Sequence, residues 1–345
     1  MDIPAFGIIM DLGETNTLNS VLQCMLAYEK FTELVLFNIE YKTKPMLNAL
    51  QEVFEKLVQY KCIVKPKTLY SIIDQETVIS TSTDPKYIIE SFIEQLGKTF
   101  RLDDPGKVRF SKNVAQYFSV LQQLNQAIDN NLPQANKDHL NNEYLFLRNK
   151  HINEILNTTS LCVWNKACEN ISSKILNLFF GQKLVTTRCS SCTYNDYTFK
   201  MFSVFDIPDG SSDQIQHSME ELMSKASDVI DTTDCCKMCS KAKCTRQTVI
   251  MKNPKCLIVR LGKKNPLVIS TDFNLTTFNN IVDPQLKITY RLFALTCVDG
   301  ANYSTYSKRG DQWHRYSSNN GNCITISSIS NIKIKQPTLL FYTME

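Results

Sequence analysis

The chain has 345 residues, 43% hydrophobic and 21% charged, enough apolar side chain for one large domain or two or three smaller ones with a real core. Its 38 Lys and Arg against 34 Asp and Glu leave a formal charge of +4, too little for a protein that grips nucleic acid by charge and far from a disordered polyelectrolyte. No run approaches the ~20 apolar residues of a membrane helix. The start, Met1-Asp2-Ile3-Pro4, has no export signal, and thirteen cysteines then predict an intracellular protein with reduced thiols, placing metal ligation before disulfides.

The first half reads as helix. Leu18, Val21, Leu22, Met25 and Leu26 share one helical face, with Thr15 or Thr17 as the cap. The same spacing returns at Leu47, Leu50, Phe54, Leu57 and Val58, at Ile88, Ile89, Phe92, Ile93 and Leu96, and at Tyr117, Phe118, Leu121 and Leu124. The polar, Asn-rich stretch from Asp129 to Asn142 predicts a connection. After about residue 180 the pattern changes to strand: Thr186 to Phe205, the apolar run Cys256 to Leu261 behind Pro254, the alternation from Leu286 to Leu295, and the closing Thr338 to Tyr342. Helices first and strands afterwards predict an α+β fold.

Cys189-Ser190-Ser191-Cys192 and Cys236-Lys237-Met238-Cys239 are two C-x-x-C pairs, the spacing of a tetrahedral four-thiolate zinc site. Four thiolates fill the shell, so one structural zinc ion is expected, with ligands Cys189, Cys192, Cys236 and Cys239. Cys235, Cys244 and Cys256 crowd the second pair, so Cys235 could stand in for Cys236, and plain buried thiols are the alternative. Lys237, Lys241, Lys243 and Arg246, followed by Lys263 and Lys264, read first as a solvated face and second as a surface for an anionic partner.

Three blocks, in order along nearly the whole chain, resemble the ubiquitin-specific protease family of deubiquitinases. Asp11-Leu12-Gly13-Glu14-Thr15-Asn16-Thr17-Leu18-Asn19-Ser20-Val21-Leu22-Gln23 is similar to its cysteine box. Phe179-Phe180-Gly181, the cysteine pairs, Phe202, Pro208, Pro254 and Leu257 to Leu261 are similar to its zinc-ribbon fingers and the strand that follows. Tyr290 to Ala294, Asn302 to Tyr306, Trp313 and Leu339 to Tyr342 are similar to its histidine box and final strand. The resemblance implies a papain-like right hand, with a helical thumb over 1–165 and antiparallel palm plus fingers over 166–345, and ubiquitin or a ubiquitin-like domain as candidate partner.

The differences from the family fall on the residues that the resemblance makes catalytic. Its nucleophilic cysteine is Asn16 here, its general-base histidine is Asn302, the residues that orient that base are Ser317 and Ser318, and the oxyanion-hole asparagine is Asp11, whose carboxylate would repel a developing oxyanion. Of the four histidines, His314 follows Trp313 on an expected palm strand and reads as a surface or half-buried residue; Cys24 lies two turns down the first helix on its apolar side. These residues predict a pseudoenzyme: no enzyme, a protein-interaction module or scaffold on protein partners, with neither membrane nor nucleic acid involved. The competing expectations are a structural subunit of a larger, even viral, assembly without a ubiquitin role, and an active cysteine peptidase with rewired residues.

Overall fold

A computed structural model describes residues 7–13, 15–38, 44–60, 62–76, 83–102, 104–192, 194–207, 217–233, 235–240, 244–262, 272–276, 287–299, 302–317, 321–329 and 337–345. The expected Ser318, Pro208, Lys241, Lys243, Lys263 and Lys264 lie outside the described residues.

Elements are numbered in chain order. Strands β1 (Ile8–Ile9) and β2 (Ile63–Val64) pair in parallel beside a helical lobe of α1 (Asn16–Leu26), α2 (Glu29–Leu36), α3 (Pro45–Glu55), α4 (Lys67–Glu76) and α5 (Pro85–Thr99). Pro45 and Pro85 open their helices where a missing N–H costs nothing, and the Asp84 carboxylate accepts from the Lys86 N–H at 3.0 Å. Next come α6 (Lys112–Asp129), α7 (Gln134–Cys168) and α8 (Ser173–Phe179). The connection expected over Asp129 to Asn142 is corrected: α7 starts at Gln134. Asn141 is buried and Tyr144 and Leu147 cluster with Tyr117 and Leu124 of α6, and that tertiary contact outweighs a composition with weak helical preference. α7 kinks at His151, whose φ of −126° leaves the helical region.

Two sheets make up the rest. The smaller is antiparallel in the order β4-β3-β7-β6, from β3 (Gly181–Cys189), β4 (Asn195–Phe202), β6 (Ile230–Thr232) and β7 (Cys244–Lys252). The larger runs β13-β12-β11-β10-β14-β8-β5, from β5 (Val204–Ile207), β8 (Cys256–Leu261), β10 (Lys287–Asp299), β11 (Asn302–Arg309), β12 (Gln312–Ser317), β13 (Asn322–Ile326) and β14 (Pro337–Met344), with β9 (Asp272–Thr276) also on β10. Its pairings are antiparallel except β5 with β8. α9 (Met219–Ala226), opened by a Ser218/Glu221 capping box, packs on this sheet.

The large sheet is covered on both faces, which explains its unbroken apolar runs. Along β14, Leu339 and Phe341 join the core formed with α1 to α5, whereas Leu340 and Tyr342 join the core under α9. Smaller clusters fasten the α6–α7 hairpin to the small sheet: Leu156 meets Leu184 and Phe199, and Tyr117 and Tyr144 lie in one cluster with Tyr194, Cys236 and Cys244. At the root of β3, a Cβ on Gly181 would come within 2.5 Å of the Phe202 ring and 2.7 Å of the Lys252 carbonyl oxygen. Gly181→Ala is therefore expected to destabilise the protein by about 1–3 kcal/mol through overpacking, measurable by urea unfolding.

Candidate functional site

α1 is buried along its whole length between the helical lobe and the large sheet, polar residues included. Its first residue, Asn16, is 9% exposed and bridges to β11: the Asn16 Nδ2 donates to Asn302 Oδ1 at 3.4 Å, and the Tyr303 N–H donates to Asn16 Oδ1 at 3.0 Å. One turn further on, the Thr305 hydroxyl donates to the Ser20 carbonyl at 3.0 Å. Asn16 and Asn302, far apart in sequence, thus meet where a helix start faces a strand start. Two neutral amides there donate and accept hydrogen bonds; neither is a nucleophile or a base near neutral pH. Ser317 on β12 stands opposite Ser304, which is two residues along β11 from Asn302.

Asp11 turns inward to the helix start. Its Oδ1 accepts from the Thr15 hydroxyl at 2.7 Å and from the Thr15 N–H at 3.1 Å, and the Thr15 hydroxyl accepts from the Leu12 N–H at 3.1 Å. Thr15 makes no side-chain cap on α1, which corrects the cap expected from it: its hydroxyl is turned to Asp11 instead. Asn19 and Gln23 complete the shelf: the Tyr70 hydroxyl donates to Asn19 Oδ1, and Gln23 Nε2 donates to the Gly7 carbonyl at 3.1 Å. Burial, followed by the charge of Asp11, pushes the Tyr70 phenol up and keeps it neutral.

Cys24 is fully buried; burial pushes its thiol well up, and the hydrogen bond from Thr305 offsets only part of that. His314 is 1% exposed, which corrects the surface reading: both faces of β12 are covered, Trp313 entering the core under α9 and His314 the opposite side. Its Nδ1 lies 3.3 Å from the Thr325 hydroxyl and its Nε2 is buried without a hydrogen-bond partner. Burial, then the nearby Arg309 guanidinium, lowers its pKa, so the ring is neutral at pH 7.

Above this junction a rim of charges joins helix to sheet, which sequence reasoning missed. Lys86 pairs with Asp206, Arg260 Nη1 lies 3.6 Å from Asp206 Oδ1, and the Tyr303 hydroxyl donates to the Thr83 carbonyl at 3.2 Å. Asp84-Pro85 was its one sequence signal, since an N-cap before a helix-opening proline marks where α5 starts.

The four cysteines come together at the tip of the small sheet. Their sulfurs all lie within 4.8 Å of one another, with Cys189 to Cys239 at 3.7 Å and Cys192 to Cys236 at 3.6 Å. A tetrahedron with metal–sulfur bonds of about 2.3 Å has edges of about 3.8 Å, so the donors fit a zinc ion. Cys236, not Cys235, completes the set. Burial raises the Cys189 thiol, but the Ser191 and Cys192 N–H groups and the neighbouring thiols more than offset it, leaving its pKa at about 6; burial raises Cys192 and Cys236.

Comparison with known proteins accounts for both features together. The family model described as ubiquitin carboxyl-terminal hydrolase matches residues 9–342. The chain belongs to the ubiquitin carboxyl-terminal hydrolase family. It is 23% identical to rat ubiquitin carboxyl-terminal hydrolase 2 over 97% of this chain and 53% of that protein, and 26% identical to the chicken enzyme of the same name over 53% and 56%. The chain spans about half the length of these curated relatives. A structure of the yeast SAGA DUB module with a mutant Sgf73 matches 98% of this chain and 68% of its own at a TM-score of 0.65 and 18% identity. A SAGA Ubp8/Sgf11/Sus1/Sgf73 DUB module with truncated Sgf11 matches 100% and 72% at 0.63 and 17%. The fold is the α+β ubiquitin-specific protease hand: helical thumb, antiparallel palm, and fingers that carry the four cysteines.

The family match also overturns the expectation that the protein is no enzyme. The family and the relatives are named as hydrolases, and changed residue types at family positions do not by themselves show that hydrolysis is lost. What the geometry establishes is that Asn16 and Asn302 hold the helix start against the strand start. Asn16→Ala is expected to cost about 1–2 kcal/mol in urea unfolding, because it removes both bridging hydrogen bonds and leaves the Tyr303 N–H without its acceptor.

Proposed function

We propose that this family member recognises ubiquitin or a ubiquitin-like protein, with residues 1–165 as thumb, 166–345 as palm and fingers, and the partner's carboxyl-terminal tail directed to the Asn16–Asn302 pair. The observation that carries this is the family match over residues 9–342, read with the seating of the α1 start against β11. Asn16 is engaged with Asn302 and Tyr303 and holds the exposed Asn302 in place, whose amide N–H groups suit the carbonyls of an extended peptide backbone. Isotope-labelled ubiquitin titrated with the full chain is expected to show shifts concentrated on its carboxyl-terminal tail. Asn16→Arg, which puts a long charged side chain at the same place, is expected to weaken binding at least about tenfold, or about 1.4 kcal/mol. Absence of any shift at saturating protein would refute the reading.

Hydrolysis at the ubiquitin carboxyl terminus is the second reading, favoured by one contact: the Thr15 hydroxyl donates to the Asp11 carboxylate at 2.7 Å, the nucleophile-to-base geometry such chemistry uses. On this reading the Thr15 hydroxyl oxygen adds to the scissile carbonyl as Asp11 takes its proton, Asp11 returns that proton to the departing amine as the C–N bond breaks, and water then hydrolyses the Thr15 ester to release the carboxylate. A fluorogenic ubiquitin carboxyl-terminal amide is the assay; turnover that Thr15→Val abolishes supports this role, whereas turnover unchanged in Thr15→Val, or none, removes it.

Zinc in the fingers belongs to the same proposal. Cys189, Cys192, Cys236 and Cys239 would hold the ion, which joins the β3–β4 turn to the segment before β7 and takes no part in the reaction. Purified protein is expected to carry one zinc per chain by elemental analysis, and Cys189→Ser/Cys192→Ser to carry none and to melt lower. Because protons compete for the thiolates, zinc is expected to be released progressively as the pH falls.

A further inference from the structure

The fingers sheet has one face packed on α7 and one face open. Leu184 and Phe199 point to the packed side; Lys183, Val185 and Thr187 of β3 point to the other, between Thr198 and Lys200 of β4 and Arg246 and Thr248 of β7. These residues line a cavity of about 450 Å³.

Its charges are ordered by the strand register. Lys183 stands directly opposite Lys200 on the neighbouring strand. Thr187 lies between Asp196 on one side and Arg246 on the other. Asp196 is already engaged, its Oδ2 lying 3.4 Å from Lys237 Nζ. Like charges directly across a strand pair destabilise a sheet. Among the described residues no carboxylate pairs with Lys183 or Lys200 at ion-pair distance; Asp206 and Glu90 act on Lys183 only from further off. Burial lowers the Lys183 pKa; Asp206 works against that, and Lys200 and Lys86 add to the lowering. Lys183 and Thr187 are four residues apart on β3, about 13 Å at strand spacing, so the cations are strung along a track and do not converge on one point. That spacing suits a run of carboxylates on an extended chain better than a single compact anion.

We propose that the open face of the fingers sheet is a docking site for an acidic segment of a partner protein, whose carboxylates pair with Lys183 and Lys200 at one end of the cavity and reach toward Arg246 at the other. The site explains why two lysines are held opposite each other at a cost to the unliganded sheet: the partner supplies the missing charge. It does not rest on ubiquitin being that partner, and it can be tested without ubiquitin.

The test is the fluorescence anisotropy of a labelled hexaglutamate peptide with the full, zinc-loaded chain, beside a hexaglutamine peptide of the same length. Binding of hexaglutamate alone is expected, weakening steeply as salt rises. Lys183→Gln/Lys200→Gln is expected to weaken it at least tenfold, whereas Lys98→Gln, which removes an exposed lysine on α5, leaves it unchanged. Lys200→Gln alone is expected to raise the melting temperature of the peptide-free protein while weakening binding, which a merely structural lysine would not do. Equal binding of both peptides, no binding, or full binding by the double variant would overturn the proposal. Failure of ubiquitin to bind would refute the tail reading and leave this one standing.

Discussion

The start of α1 is buried against β11, and polar side chains at that contact are matched across it. Burying polar side chains is costly unless they are hydrogen-bonded. Here Asp11 takes the N–H and hydroxyl of Thr15 just before the helix, Asn16 takes the Tyr303 N–H, and Thr305 reaches the Ser20 carbonyl. These contacts seat thumb on palm and set the positions of Asp11, Asn16 and Asn302. Shifting β11 by one residue would reverse its side chains and expose the end of the helix.

The fingers depend on a separate constraint. Their strands carry the cysteine pairs at one end, while the α6–α7 hairpin backs the sheet with Tyr117, Tyr144, Leu147 and Leu156. One face is thereby occupied, and a metal ion in the cysteine cluster would brace the far end. The other face can then tolerate a strained arrangement of charge, because its geometry is held from behind.

Charge at the rim works differently. Lys86, Asp206 and Arg260 are partly exposed, and such pairs contribute little to stability individually. Their value is positional: with the Tyr303 hydroxyl on the Thr83 carbonyl they join α5 to the palm beside the α1–β11 junction.

Much of this was readable without coordinates. Repeated apolar spacing marked α1, α3, α5 and α6, and alternation marked β10, because a buried face must recur with the period of its element. The cysteine pairs announced their cluster, since two ligands three residues apart suit one turn around a metal. The motif order placed Asn16 and Asn302 near each other. Other features were hidden. Residues 134–142 look like a connection and are helix because Asn141, Tyr144 and Leu147 find a surface to pack on. His314 looks half-exposed and is buried because a second layer covers its strand. The cross-strand meeting of Lys183 with Lys200 cannot be seen in either strand alone.

The sequence by itself determined the type of the strongly periodic elements, the family and the ligands available for a metal, because these depend on residue identity and short-range period. Tertiary structure decided which polar groups are satisfied, which charges are left facing one another and which side of each strand meets water. Those outcomes depend on register and on what packs against each face, and both arise between segments distant in the chain.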